Sequence, residues 1–194
     1  SMASVEVVYE LRSKTDFILA SPTETLASGM PYQLVIPHFF EGAAGLEKVA
    51  EKYLGYYGQQ DGQYRSATIS LIDTRELDKL AARSKAVLEN ASLSPDYNRE
   101  EVQRLDFESP AATEGYDFLD FFQKNLAPGD LQPLADQLAR TVLFKSHTPE
   151  FLGKPIETFS GLSCYIPHQD DDFINDYYKT LEWCRASGFN LLID

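Results

Sequence analysis

The spacing of apolar residues at the start of the chain predicts a helix followed by a buried strand. Apolar positions between residues 2 and 11 fall mostly on one side of a helix. The continuous apolar run Phe17–Ala20 is typical of a short buried strand. Residues 21–31 contain the mixture of Ser, Thr, Pro and Gly that favours a loop, and loops that follow buried strands carry ligand contacts in α/β folds.

A helix, a strand and another helix follow. Apolar residues repeat at helical spacing without a miss between residues 45 and 58, which predicts a helix there. Residues 67–72 are β-branched and apolar, as in a strand. Asp73 and Glu76 then have the spacing of a capping box, and the amphipathic helix that they open continues to about Asn90.

The remainder of the chain predicts helices with one further strand. Residues 92–114 are polar and rich in turn-forming residues, with a short strand expected at 102–107. Pro128 and Gly129 separate two amphipathic segments. The predicted elements are a helix around 118–122, a helix over 131–142, a strand over 161–167 and a final helix over 173–186.

Strands that alternate with helices indicate an α/β fold, but only three strands are convincing. A sheet of three strands is thin for this amount of helix. We therefore expect another segment or chain to cover the edges or an apolar face of the strands at 17–19 and 67–72. The composition of the elements also divides the chain into residues 1–91 and a mainly helical region, residues 92–194.

The charge of the chain argues against a nucleic-acid partner. Its 17 Lys and Arg against 30 Asp and Glu give a net charge of −13, and no basic cluster interrupts this acidic surface. With 43% hydrophobic residues, the chain has enough apolar side chains for a folded core, which excludes disorder. No apolar run approaches the ~20 residues of a membrane span, and no signal-peptide pattern is present, so no membrane partner is expected.

The cysteines and histidines do not form a complete catalytic site. Cys164 and Cys184 are expected to be packing residues. Four residues along a strand place His168 ~13 Å from Cys164, which is too far for proton transfer unless the chain folds back. His38 and His147 are better explained by structural or surface roles, and an N-terminal nucleophile at Ser1 is a weak alternative.

The acidic groups do not have the spacing of a metal site. Asp170, Asp171 and Asp172 are consecutive, whereas a calcium loop spaces its ligands to wrap one ion. These residues are instead expected at the start of the last helix, where the helix dipole favours acids. We expect no cofactor, and a calcium requirement is left open.

Several segments resemble a known family. They closely resemble the part of clostripain-family cysteine peptidases that follows the catalytic cysteine. The segments that carry the resemblance are MASVEVVYELR at 2–12, FILASPTET at 17–25, GMPY at 29–32, ATISLID at 67–73 and the strand at 161–167. The resemblance spans nearly the whole chain and is most specific in residues 2–32.

The resemblance implies that both catalytic residues lie upstream of Ser1. The family uses a His–Cys dyad with the cysteine in a D-x-C-x-M pattern, and Met2 matches the Met of that pattern. The nucleophile is then the residue immediately before Ser1. The dyad histidine of the family stands in a His-Gly pair further upstream, whereas the three histidines of this chain are followed by Phe, Thr and Gln.

The resemblance also implies a role for the loop after the first strand. In the family this loop lines the primary specificity pocket, so the candidate substrate-binding residues are Thr25, Leu26 and Ser28. The acid of that pocket, the D of D-x-C, again lies upstream. Without the family, Thr25 is better explained as a turn residue that bonds its own backbone.

The resemblance therefore implies a fold and a function. The expected fold is α/β, a partial caspase-like sheet flanked by helices and followed by a mainly helical C-terminal region with one further strand. The chain is expected to be the C-terminal part of a bacterial cysteine endopeptidase, secreted or in the cell envelope, that cleaves after Arg or Lys. Its partners are then an N-terminal chain or segment with the dyad, and protein or peptide substrates with basic residues.

A non-catalytic binding module of the same fold is the alternative function. The upstream sequence distinguishes the two, because a His-Gly pair and a D-x-C pattern favour the enzyme.

Overall fold

Helices and strands alternate through the first half of the chain, and helices dominate the second half. The computed structural model describes residues 2–90, 97–107, 115–126, 131–168 and 171–193. The helices are α1 (Val5–Leu11), α2 (Tyr32–Val35), α3 (Ala43–Gly58), α4 (Leu77–Asn90), α5 (Phe118–Asn125), α6 (Gln132–Thr141), α7 (Asp172–Thr180) and α8 (Glu182–Ser187). The strands are β1 (Phe17–Ala20), β2 (Thr68–Asp73), β3 (Tyr116–Asp117), β4 (Val142–His147), β5 (Glu150–Phe151), β6 (Lys154–Pro155) and β7 (Ser163–Cys164). Short 3₁₀ helices lie at Ile36–Phe40, Gly62–Tyr64, Thr74–Glu76 and Phe189–Leu192.

The main sheet has the order β1-β2-β4, and both pairs are antiparallel. Leu71 in the central strand lies opposite Leu19 on one side and Phe144 on the other. β2 is buried along its whole length because it has a strand on each side and helices on both faces. A β-bulge between Leu71 and Ile72 shifts the register with β4.

The two faces of this sheet are covered by different helices. On one face, Leu19, Ile69 and Phe144 pack with Tyr53 and Tyr57 of α3. On the other face, Ile72 and Val142 join a larger cluster formed with α1, α4 and α6. The result is a helix–sheet–helix sandwich that fixes the carboxyl end of β1 near the start of α1.

Aromatic residues build the core of the C-terminal region. The rings of Phe118, Phe121, Trp183 and Phe189 meet at centroid distances of 5.7 to 6.5 Å. Trp183 also packs edge-on against Tyr9 of α1 at 5.4 Å. This cluster thus includes residues on both sides of residue 91, and the division of the chain there stays a prediction.

The structure confirms most of the predicted elements and corrects four. Residues 142–147 form strand β4 and not the end of a helix, and the final helix is two helices, α7 and α8, divided at Leu181. The strand predicted at 161–167 is limited to the two residues of β7, and the segment 102–107 contributes one isolated bridge, between Arg104 and Tyr116. Pro128 and Gly129 lie outside the described residues.

The expectation that another segment covers two strands is wrong for β2 and stays a prediction for β1. β2 pairs on both edges within the chain. β1 lies at the edge of the sheet as far as the described residues go, and each of its four residues is partly exposed. None of the described helices combines the length and the apolar character that crossing a bilayer requires.

Candidate functional site

The backbone that leads into α1 is held on two sides. The Ala3 N–H donates to the carbonyl of Ser21, just after β1, at 3.2 Å. The Ala3 carbonyl accepts from the Ser163 N–H of β7 at 3.1 Å. Ser4 then caps the helix, because its hydroxyl accepts from the Val7 N–H at 3.3 Å. The start of α1 is therefore fixed beside the end of β1.

A cluster of buried hydroxyl groups fixes the base of the loop after β1. The Ser21 hydroxyl lies 2.7 Å from the hydroxyl of Thr68 in β2, and the Thr23 hydroxyl lies 2.9 Å from it. All three side chains are buried. Further along, the Glu24 carboxylate accepts from the Phe107 N–H at 2.8 Å, which ties the loop to the C-terminal region.

The three predicted pocket residues lie on this loop, against helix α3. Thr25 and Ser28 are exposed, and Leu26 is half-buried between two apolar clusters. The structure therefore places Thr25 and Ser28 at the surface and turns Leu26 partly towards the core. Their role in a pocket stays a prediction.

Two tyrosines of α3 hold the loop, and the sequence reasoning missed their hydroxyl groups. The Tyr57 hydroxyl donates to the Gly29 carbonyl at 2.7 Å and lies 2.9 Å from the Ser28 hydroxyl, which must then be the donor in that bond. The Tyr53 hydroxyl contacts the Thr25 side chain. Burial raises the pKa of Tyr53 well above its ordinary value, against a smaller lowering by Thr25, so Tyr53 stays neutral.

The two cysteines are packing residues. Both are buried, and neither is in a disulfide. Burial raises the pKa of the Cys164 thiol well above its ordinary value, and the acids Glu6 and Asp117 raise it further. His168 is exposed, whereas Cys164 is buried, which argues against a catalytic pair.

The other histidines have local partners. His38 Nδ1 lies 2.9 Å from the Glu41 carboxylate, and His147 Nδ1 lies 2.8 Å from the Thr148 carbonyl. His147 is the last residue of strand β4.

The predicted acidic groups have structural roles. The Asp73 carboxylate accepts from the Arg75 N–H at 3.1 Å and binds the Arg75 guanidinium, which lowers the pKa of Asp73. Glu76 bonds to Lys79 and Gln137 instead of completing a capping box with Asp73. Asp73 alone caps a single 3₁₀ turn.

The acids before the last helix also act as a cap. Asp171 caps α7 by accepting from the Ile174 N–H at 3.1 Å, and Asp170 lies outside the described residues. Across the described part of the chain, no three His, Cys, Asp or Glu side chains are grouped to hold a metal ion.

Glu6 is a buried carboxyl group that the apolar pattern did not reveal. It lies in the first turn of α1 and is 9% exposed. One carboxylate oxygen accepts from the Tyr165 N–H at 2.9 Å and from the Tyr178 hydroxyl at 3.2 Å. Burial raises the pKa of Glu6 to about 7, although these two bonds and one from Ser4 lower it in part.

The comparison with known proteins identifies the family. The sequence profile of the clostripain family of peptidases matches residues 1–148, and the chain therefore belongs to this family. The chain has the caspase-like fold of its cysteine peptidases. No curated protein matches the sequence significantly.

Solved structures of the family are similar over nearly the whole chain. An inactive zymogen of a C11 protease from Parabacteroides distasonis is 29% identical with a TM-score of 0.85, and the match covers 96% of this chain and 56% of that one. A clostripain from Bacteroides thetaiotaomicron in complex with the peptide inhibitor BTN-VLTK-AOMK is 27% identical with a TM-score of 0.82, over 96% of this chain and 82% of that one. A secreted C11 cysteine protease from the same species is 28% identical with a TM-score of 0.81, over 95% and 52%. The chain thus spans about half the length of the first and third of these relatives.

Proposed function

We propose that this chain is the C-terminal part of a cysteine endopeptidase that cleaves after Arg or Lys. Its contribution is the helix behind the nucleophile, α1, and one wall of the specificity pocket, formed by Thr25, Leu26 and Ser28. The nucleophilic cysteine and its histidine belong to an N-terminal chain or segment, which is the necessary partner. The substrates are proteins or peptides with basic residues, and the enzyme is secreted or in the cell envelope.

The observation that carries this proposal is the position of the backbone before α1. Ala3 bonds to Ser21, and Ser21 begins the loop that continues to Thr25 and Ser28. A cysteine just before Ser1 would therefore join the chain on the side of the fold where this loop begins. The peptide part of the inhibitor bound to the Bacteroides thetaiotaomicron clostripain, VLTK, ends in Lys, which agrees with a pocket for a basic side chain.

The chemistry expected of the intact enzyme is acyl transfer. The cysteine thiolate attacks the scissile carbonyl carbon, and backbone N–H groups near the cysteine hold the oxyanion that forms. The histidine gives a proton to the leaving amine, and water then hydrolyses the thioester. In such a site the hydroxyl of Thr25 can accept a hydrogen bond from the guanidinium or ammonium group of the substrate. The chain alone has no dyad in this scheme and is inactive.

The test uses the intact protein, with its upstream segment, and fluorogenic peptides that differ at one position. Peptides with Arg, Lys or Gln before the reporter group are compared, and the 194-residue chain is the matched control. We expect thiol-sensitive cleavage by the intact protein with a preference of at least about hundredfold for Arg or Lys over Gln, and no cleavage by the chain alone.

Other outcomes would contradict separate parts of the proposal. Equal rates with Gln would contradict the basic specificity. The absence of turnover by the intact protein would favour a binding module. Turnover by the chain alone that Cys164→Ala abolishes would place the nucleophile inside this chain.

A further inference from the structure

Glu6 joins α1 to two elements of the C-terminal region. The Tyr165 N–H that it accepts lies just after strand β7, and the Tyr178 hydroxyl comes from α7. Tyr165 continues the network, because its own hydroxyl donates to the Asn175 side chain at 2.9 Å. One oxygen of the Glu6 carboxylate therefore connects α1 with Tyr165, which is 159 residues away in sequence, and with Tyr178 of α7, which is 172 residues away.

The same strand also holds the backbone before α1. Ser163 pairs with Ser4 in a parallel bridge, and its N–H donates to the Ala3 carbonyl. The Tyr165 N–H, two residues further along, bonds to Glu6. The backbone of Ala3 and Ser4 thus bonds to Ser163 of β7, and the side chain of Glu6 bonds to Tyr165 just after β7. Together these contacts fix the direction in which the chain enters α1.

We propose that Glu6 is a positioning residue, which holds α1 against β7 and α7 and so fixes where the residue before Ser1 lies. This inference rests on the proposed function, in which that residue is the nucleophilic cysteine. A shift of about 1 Å in a reacting group can cost a hundredfold in rate, so a fixed helix entry matters for catalysis.

The surroundings of Glu6 make its positioning of α1 sensitive to pH. Within the described residues Glu6 forms no ion pair, and its charge acts on two titratable groups, Tyr178 of α7 and Cys164 of β7. The third nearby group, the phenol of Tyr165, bonds to Asn175. Burial raises the pKa of both groups well above their ordinary values, and the charge of Glu6 raises each further, so both are neutral near pH 7. An ionised Glu6 is then a buried charge without a cation. The two bonds that it accepts strengthen on ionisation but offset only part of the cost of burying the charge, so the packing of α1 against β7 becomes less stable when the carboxyl group ionises.

Three variants of the intact protein test this role. Glu6→Gln keeps the shape and removes the ionisation. Tyr178→Phe keeps the ring and removes a donor that favours the ionised form. Glu10→Gln is the matched control, because the same substitution is made one turn along the same helix, at an exposed side chain that bonds only to the Glu182 N–H among the described residues.

Two readouts are measured from pH 5.5 to 8.5. One is hydrogen exchange of the peptides that cover residues 2–8 and 160–166, corrected for the intrinsic exchange rate. The other is kcat and KM for an Arg or Lys peptide.

The expected pattern separates positioning from a general loss of structure. In the parent and in Glu10→Gln, exchange at residues 2–8 becomes at least about tenfold faster as pH rises through 7. In Glu6→Gln this pH dependence disappears, and in Tyr178→Phe it moves to higher pH. The ratio of kcat between Glu6→Gln and the parent rises by at least about fivefold over the same interval, whereas KM changes less than about twofold.

Each contrary result overturns a defined part of the account. Superimposable pH profiles of exchange in the parent and Glu6→Gln would refute the positioning role. Different exchange profiles with superimposable kcat profiles would show that Glu6 holds the fold but does not position the nucleophile. If the parent cleaves no basic peptide, the proposed function fails, and the exchange data alone decide whether Glu6 holds the start of α1.

Discussion

Removal of the Tyr57 hydroxyl should release the loop that carries Ser28 while leaving the core intact. The hydroxyl donates to the Gly29 carbonyl and accepts from Ser28, and the ring packs 4.9 Å from that of Tyr53. Tyr57→Phe keeps the ring in the core, where the parent side chain is 1% exposed. The substitution therefore removes two hydrogen bonds and no apolar contact.

The size of the effect follows from those two bonds. A neutral hydrogen bond contributes about 0.5–1.5 kcal/mol to stability, and the Gly29 carbonyl is left without this partner in a partly buried position. We expect the free energy of unfolding to fall by about 1–3 kcal/mol. In the intact protein the loosened loop should also lower kcat/KM for basic peptides.

Equilibrium urea unfolding measures the loss of stability. Tyr56→Phe is the control, since Tyr56 is the preceding residue, is half-buried and uses its hydroxyl in no hydrogen bond within the described residues. The urea midpoint of Tyr57→Phe should lie clearly below that of Tyr56→Phe. Equal midpoints would refute the idea that Tyr57 holds the loop.

Three further predictions concern other positions. Thr25→Val should lower kcat/KM for Arg and Lys peptides about ten- to hundredfold in the intact protein, because a bond to a charged group is worth ~1.5–3 kcal/mol; a change within twofold would make Thr25 a turn residue only. The pKa of Glu6 is raised from 4.5 to about 7, so the folded chain binds more protons than the unfolded chain between these values, and its free energy of unfolding should fall by about 3 kcal/mol as pH rises through them. Urea unfolding of Glu6→Gln should lack this fall, and identical slopes in the two proteins would contradict the pKa. Gly161→Ala should lower the free energy of unfolding by about 1–3 kcal/mol, because φ is +94° and a Cβ would lie 2.8 Å from Val142 Cγ1; an unchanged urea midpoint would show that the turn adapts.

The spacing of apolar residues was sufficient to predict an element that buries a single face. Helix α3 has a long apolar stripe against the sheet, so its spacing predicts it within two residues. Strand β4 was missed because the apolar spacing of α6 continues to Val142, and because its exposed Leu143 and Lys145 leave a weak alternation. No Gly or Pro near Leu181 marks the point where the last helix divides, so the sequence pattern does not predict it.

The candidate site depends on contacts that no local pattern contains. The sequence places Tyr53 and Tyr57 on the apolar face of a helix, which explains why their rings are buried. It does not reveal that the Tyr57 hydroxyl bonds to Gly29 and Ser28, which are 28 and 29 residues away, or that the Tyr53 hydroxyl contacts Thr25. Glu6 stands among apolar positions as an acid that local reasoning assigns to solvent. Its partners at Tyr165 and Tyr178 follow only from the tertiary fold.

The position of the nucleophile is the central claim, and covalent labelling of the intact protein tests it most directly. A peptide inhibitor with a terminal Lys and a thiol-reactive group should modify one cysteine, and mass spectrometry of the digested protein should locate it at the residue that precedes Ser1. Prior treatment with iodoacetamide should prevent both labelling and cleavage. Modification of Cys164 or Cys184, or no modification while basic peptides are still cleaved, would contradict the account.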